Sequence, residues 1–220
     1  MKKILVSILY FSILLSSLNV LAINYQLING IAIQYNVPFD SIALENEYIK
    51  IMRNSIIHDE TKSNFGFRVI VALTKVKINC LEGKFKLKRG DVKVFTEKES
   101  YEISSGEYFE VNFKKIHPAV KFPETWIEPV KNKIIHENEQ FRIFEERLAP
   151  GDTRELHSHA QRIVVRLNNV QLTDPRKYPN GQPGGGIQVP STVKFAEPIV
   201  HVVKNLSDIP LFNIVIELKK

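Results

Sequence analysis

The chain has 220 residues, 44% hydrophobic and 25% charged, which is ample apolar material for a core and excludes a disordered segment. Its formal charge of +6 is thinly spread: Lys84, Lys86 and Lys88 alternate with Phe85 and Leu87 as on a solvated strand face, so no basic patch argues for nucleic acid. Cys80 is the single cysteine, which excludes an intramolecular disulfide and leaves stability to packing.

Lys2 and Lys3 stand ahead of an almost uncharged apolar run over 4–18, and Val20-Leu21-Ala22 then offers small residues where a peptidase cuts. This predicts an export signal over 1–22. The run is long enough for a retained membrane anchor, but the short basic start and Ala22 favour cleavage. No cysteine stands where a lipoprotein would need one. The mature chain is expected to begin at Ile23, to be periplasmic or secreted, and to have no membrane association after cleavage.

From there the chain is a succession of short runs rich in Val, Ile, Phe and Tyr, broken by Gly, Pro, Asn and charged pairs. That pattern predicts an all-β chain, a sandwich or barrel. Helical periodicity is weak, with room for a turn or two only at 32–36 and 41–45. An internal repeat is more informative. Residues 45–52 (ENEYIKIM) match 137–144 (ENEQFRIF) at an offset of 92, and 68–78 match 162–172 at an offset of 94. Two matched blocks in the same order predict a duplicated β domain. The first domain is expected over 23–116, its repeated part starting near Asn36, and the second over 133–220. A connector over 117–132, punctuated by Pro118, Pro123 and Pro129, is unsuited to a central strand.

In the second copy, strands are expected over 141–148, 162–167, 170–173, 191–195, 199–205 and 211–218. Asn168-Asn169 is a plausible hairpin turn, because Asn tolerates positive φ. The Gly- and Pro-rich stretch over 178–186 reads as a surface loop. It lacks the Lys-Ser/Thr and the helix start of a phosphate-binding loop.

His157 and His159 flank Ser158 just before the apolar run at 162–167, and side chains two apart on a strand point the same way. His201 sits in a second strand-like run over 199–205. If those strands face each other in a barrel, three imidazoles converge, a donor set suited to Zn, Fe, Ni or Cu. Unbroken alternation would turn Gln161, Ile163, Val165 and Leu167 to the same cavity, where Gln161, Ile163 and Val165 are candidate substrate-binding residues. Arg162 and Arg166 would then face solvent, unless a bulge at the strand start breaks the parity. His58, His117 and His136 fit no motif.

Gly151, His157 and His159, together with His201 followed four residues later by Asn205, resemble the two motifs of the cupin family. With the duplication, the chain resembles a bicupin, two tandem jelly-roll β-barrels after a signal peptide. Its tail, 199–205 and 212–218, is similar to small cupins of the beta-alanine degradation protein type. The resemblance implies one divalent transition metal (Fe, Zn, Mn or Ni, with Fe(II) ahead) in the C-terminal barrel on His157, His159 and His201.

Departures from the pattern are specific. Ile163 and Val164 stand where many metal cupins have glutamate, and Pro190, Ala196 and Pro198 replace the usual Gly, Pro and Gly. Three histidines alone still serve in some cupin dioxygenases. The implied activity is a dioxygenase acting on a small organic molecule, with an isomerase or lyase nearly as compatible and no catalytic residue assignable. The alternative is a non-catalytic periplasmic protein, either structural or binding a small carboxylate or sugar-like ligand in the barrel, with or without metal. Glu155 and Glu197 are candidate replacements for the missing carboxylate, and Asn205 is expected to be structural. In the first copy Ser63 and Phe65 occupy the positions of His157 and His159, and His117 lies only near that of His201. That barrel is expected to carry no metal set. Cupins often pair, so a homodimer is expected by analogy.

Overall fold

The computed structural model describes residues 24–28, 31–35, 41–54, 66–114, 130–180 and 187–219. The export signal expected over 1–22, most of the expected connector, and His58, Ser63, Phe65 and His117 lie outside them. All regular elements among the described residues are strands, and no helix there is long and apolar enough to cross a membrane. β1 (Asn24–Ile28) and β2 (Ile31–Tyr35) form an antiparallel hairpin, Ile28 opposite Ile31, within a unit of their own. Residues 32–35 and 41–45, where the sequence leaves room for a helical turn, are strands instead. Ile33 and Tyr35 in the one stretch and Ile42 in the other are β-branched or aromatic, which favours extended backbone.

The second unit, from Phe39 onward, holds sixteen strands in four antiparallel sheets. Its first half contains β3 (Ser41–Glu45), β4 (Ile49–Asn54), β5 (Arg68–Ala72), β6 (Val76–Cys80), β7 (Gly83–Leu87), β8 (Val92–Phe95), β9 (Tyr101–Ser105) and β10 (Tyr108–Phe113). Its second half contains β11 (Asn132–Glu137), β12 (Phe141–Leu148), β13 (Thr153–His159), β14 (Arg162–Arg166), β15 (Leu172–Thr173), β16 (Thr192–Ala196), β17 (Ile199–Asn205) and β18 (Leu211–Leu218). Each half has a five-stranded sheet, β3-β4-β10-β5-β8 in one and β11-β12-β18-β14-β16 in the other, and each adds a three-stranded sheet, β7-β6-β9 or β13-β17-β15.

The repeat read from sequence is therefore a repeat of topology in the five-stranded sheets, while the three-stranded sheets differ, one centred on β6 and the other on β17. Even its turns match: Asn46 Oδ1 accepts hydrogen bonds from the backbone N of Tyr48 and Ile49, and Asn138 Oδ1 does the same for Gln140 and Phe141. Asn supplies a side-chain carbonyl that mimics the backbone of a turn, which is why the residue recurs there. The predicted hairpin at Asn168-Asn169 is absent. β14 pairs with β16 and β18 whereas β15 pairs with β17, so the two strands lie in different sheets. Ser191 is the one non-glycine with positive φ among the described residues.

The largest apolar cluster lies between the halves. Eight buried residues from each half meet in it, including Ile51, Val69 and Phe109 from the first and Phe141, Ile163, Val165 and Ile216 from the second. Phe113 stacks on Phe141 at 4.6 Å between ring centroids, and Phe67 meets the same ring edge-on at 5.5 Å. Arg89 fastens the seam by donating to the Leu73 carbonyl in its own half and the Leu167 carbonyl in the other. The next residue, Gly90, has φ +85° and lies so close to Phe212 that a Cβ there would come within 2.5 Å of its ring.

The two barrels differ inside. The first is filled by Ile70, Ala72, Val76, Ile78, Phe95, Ile103 and Tyr108. The second keeps only a small apolar cluster, Leu148, Val170 and Leu211, and buries Arg154, His157, His159, Arg162, Asn213 and Glu217. Uncompensated, polar burial of that extent is costly.

Candidate metal centre

β13 and β17 pair antiparallel, with His157 opposite His201 and His159 opposite Ile199. The register shifts between Arg154 and His157. This bulge leaves Glu155 and Leu156 exposed while Arg154, His157 and His159 all turn inward. The pair opposite and the period of two bring three rings together. Their centroids lie 4.4 Å (His157–His201), 4.9 Å (His157–His159) and 5.5 Å (His159–His201) apart. One ligand atom from each lies within 4.8 Å of the others.

The donors are in the form a metal needs. His157 Nδ1 lies 2.6 Å from the Glu155 carbonyl; donation there fixes the tautomer that presents Nε2 as a lone pair. Nε2 of His157 and Nε2 of His201 are buried without a hydrogen-bond partner. Orphaned buried acceptors are costly, and a divalent cation satisfies both. Burial, then the charge of Arg154, lowers the His157 pKa. Burial pushes His159 down to about 3 against the opposing pull of Glu146, and burial with the neighbouring imidazoles takes His201 to about 2. All three rings are thus neutral ligands at neutral pH.

Two carboxylates flank His159, and neither is a residue singled out from the sequence. Glu217 Oε1 lies 3.5 Å from its Nδ1, and Glu146 Oε1 lies 4.0 Å from its Nε2. Glu217 also accepts the Ala160 backbone N–H at 2.7 Å. Glu146 accepts from Arg154 and from Asn213, both at 2.9 Å. Burial raises the Glu146 pKa, but Arg154, the Asn213 hydrogen bond and Arg162 hold the group below the ordinary carboxylate value. Phe144 lies nearly parallel to the His159 ring at 6.2 Å. Glu155 and Glu197, the expected replacements for the missing glutamate, have exposed side chains instead. The Asn205 amide donates to the carbonyls of Leu148, Ala149 and Ile209, a structural role at the barrel end.

The face of β14 is reversed from the sequence expectation. Ile163, Val165 and Leu167 belong to the core between the halves, so Ile163 and Val165 do not line the cavity. Gln161 turns to Glu197, to whose carboxylate its amide donates at 3.0 Å. Arg162 and Arg166, expected in solvent, line a cavity of about 250 Å³ that also takes in His201, Leu172, Gln188 and Lys194. The cause is a change of sheet: the chain leaves β13 in the three-stranded sheet and enters β14 in the five-stranded one through Ala160-Gln161. Parity counted along one strand does not survive that corner. A larger cavity, about 540 Å³ near Phe67, Lys114 and Gln140, is lined by no histidine.

The first half is built differently at the same places. β17 lies between β16 and β18 as β9 lies between β8 and β10, so the counterpart of the His201 strand is β9. Its inward residue is the core residue Ile103. His117 follows β10 in the chain, so it is not the counterpart of His201.

Among solved structures, similar folds include a cupin 2 conserved barrel domain protein from Leptotrichia buccalis, 13% identical over 84% of this chain and 92% of that one, TM-score 0.54. AerE from Microcystis aeruginosa is 11% identical over 83% of this chain and 98% of that one, TM-score 0.52. The fold is that of the cupins. A mutant of the salicylate 1,2-dioxygenase from Pseudoaminobacter salicylatoxidans shares this cupin fold at 7% identity over 77% of this chain and 70% of that one, TM-score 0.50. No protein-family model and no curated protein matches the sequence.

Proposed function

We propose that this protein is an exported bicupin whose second barrel holds one divalent transition metal, Fe(II) ahead of Zn, Mn and Ni, on His157, His159 and His201. The single observation that carries the reading is the convergence of three imidazoles, His157 and His159 buried and His201 half-buried, whose ligand atoms lie within 4.8 Å of one another. A metal bound there would supply Lewis acidity and, for iron, dioxygen chemistry. The chain's own residues do the rest. Glu155 fixes the His157 tautomer through its carbonyl, Glu217 and Glu146 flank His159 with negative charge, and the cavity beside His201 receives the substrate. Three protein ligands leave coordination positions for that substrate, which favours a dioxygenase acting on a small organic molecule over a closed structural site. The dioxygenase among the structural neighbours supports the same choice.

The competing reading is a non-catalytic binding protein. It is favoured by the position of Glu146 and Glu217, which are hydrogen-bonded within the protein and flank His159. Elemental analysis of protein purified from its native compartment decides between the two. We expect about one metal per chain, lost when His157→Ala and His159→Ala are combined, with the fold retained by circular dichroism. Metal below one-tenth equivalent in wild-type protein, with reconstitution failing, would remove the enzyme reading. Cleavage after Ala22 is checked by N-terminal sequencing of the exported form.

A further inference from the structure

We propose that the cavity beside His201 binds a small organic acid, its carboxylate held by Arg166 and Lys194 and its apolar body resting on Leu172, Ile199 and Val203. Only the direction of the ligand's far end, toward the histidines, rests on the metal-centre reading.

The charge balance of the cavity is one-sided. Arg162, Arg166, Lys177 and Lys194 line it, and Asp174 is its one acidic residue. Asp174 is already held by Arg176, through Nε at 3.1 Å and Nη2 at 3.0 Å. Arg162 is occupied too, donating to the carbonyls of Ala160 and Glu197. Arg166 is not so engaged: its Nε is buried with no hydrogen-bond partner. Desolvation, then the charges of Arg166 and Arg162, bring the Lys194 pKa down to about 8 against the pull of Glu146. A buried donor lacking an acceptor, beside a second cation, is stabilised by an anion, and the planar guanidinium suits a carboxylate through two parallel bonds.

The first barrel provides an internal comparison. At the repeat offset, Arg166 corresponds to Ala72, which is part of the packed interior there. Lys194 stands opposite Val164 as Lys93 stands opposite Ile70, and Lys93 is neutralised by Glu82 at 2.6 Å. The same scaffold thus fills or neutralises in one half what it leaves cationic in the other. Leu172, Ile199 and Val203 in the same lining give an organic body apolar contact that inorganic phosphate cannot use.

The test is calorimetric titration of the full chain at low ionic strength with benzoate, its neutral analogue benzamide, and inorganic phosphate. Benzoate is expected to bind at least tenfold more tightly than either. Arg166→Gln should weaken benzoate about tenfold or more and Lys194→Gln severalfold, whereas Arg166→Lys should recover part of the loss. Lys194→Gln keeps the test open should Arg166→Gln fail to fold, because residue 194 is exposed. A chelator-treated His157→Ala chain, its metal content measured separately, should keep benzoate affinity within a few fold, so loss of the metal reading is distinguishable from loss of this one. Equal affinity for benzoate and benzamide, or unchanged affinity in both glutamine variants, overturns the proposal. Phosphate binding as tight as benzoate overturns the organic-acid assignment.

Discussion

His159 is only 2% exposed, and its ring lies between Phe144 and two carboxylates. Burial keeps it neutral in the folded chain, with a pKa near 3, while in the unfolded chain it titrates near the ordinary imidazole value of 6.5. Below that value the unfolded state binds more protons, so stability is complete above pH 6.5 and falls as pH drops toward 3. By pH 4.5 the loss from this group alone is on the order of 2 kcal/mol. His157 and His201 act in the same direction, and Glu146, with its lowered pKa, adds to it at lower pH. Urea unfolding of metal-free protein at pH 7.5 and 4.5 should therefore give a smaller pH effect in His159→Gln than in wild type. An identical pH effect would mean that this ring is not buried neutral. The histidine pair was legible because spacing of two is a local property of a strand. Glu217 and Glu146 were harder, since they reach the site from strands of the other sheet, β18 and β12. One signal was available: Glu217 is the only acid in the apolar run 211–218.

At the scale of elements, the sheets were largely readable and their faces were not. The strands expected at 141–148, 199–205 and 211–218 are β12, β17 and β18 with the same ends, because β-branched and aromatic runs bounded by turn residues specify extended chain locally. Which face of a five-stranded sheet looks inward depends on a partner outside the repeat. Here the more apolar face is claimed by the other half, and Arg162 and Arg166 are left to the barrel. Phe141 belongs to that shared core and is 0% exposed. Phe141→Ala should cost about 3–5 kcal/mol, because it removes the ring that meets Phe67 and Phe113 and leaves a cavity. Equilibrium denaturation measures this, and a loss below about 1 kcal/mol would contradict a packed seam.

For the molecule as a whole, a core drawn from both halves predicts one cooperative unfolding transition for the sixteen-stranded unit. Scanning calorimetry should give a single peak, and Phe141→Ala should move all of it. Two resolved transitions, one insensitive to the variant, would show halves that fold independently. The duplication was visible at two offsets, but a doubled sequence alone does not distinguish two beads on a string from two sheets sharing one interior.

β14 has a further consequence. Its Ile163 and Val165 are embedded against the first half while Arg162 and Arg166, one step along the same backbone, line the cavity, so a partition a single strand thick separates the two environments. Close-packed walls transmit displacement. Trimming a side chain such as Val69 or Phe109, on the far side of that partition, should consequently alter ligand affinity without touching any residue that meets the ligand.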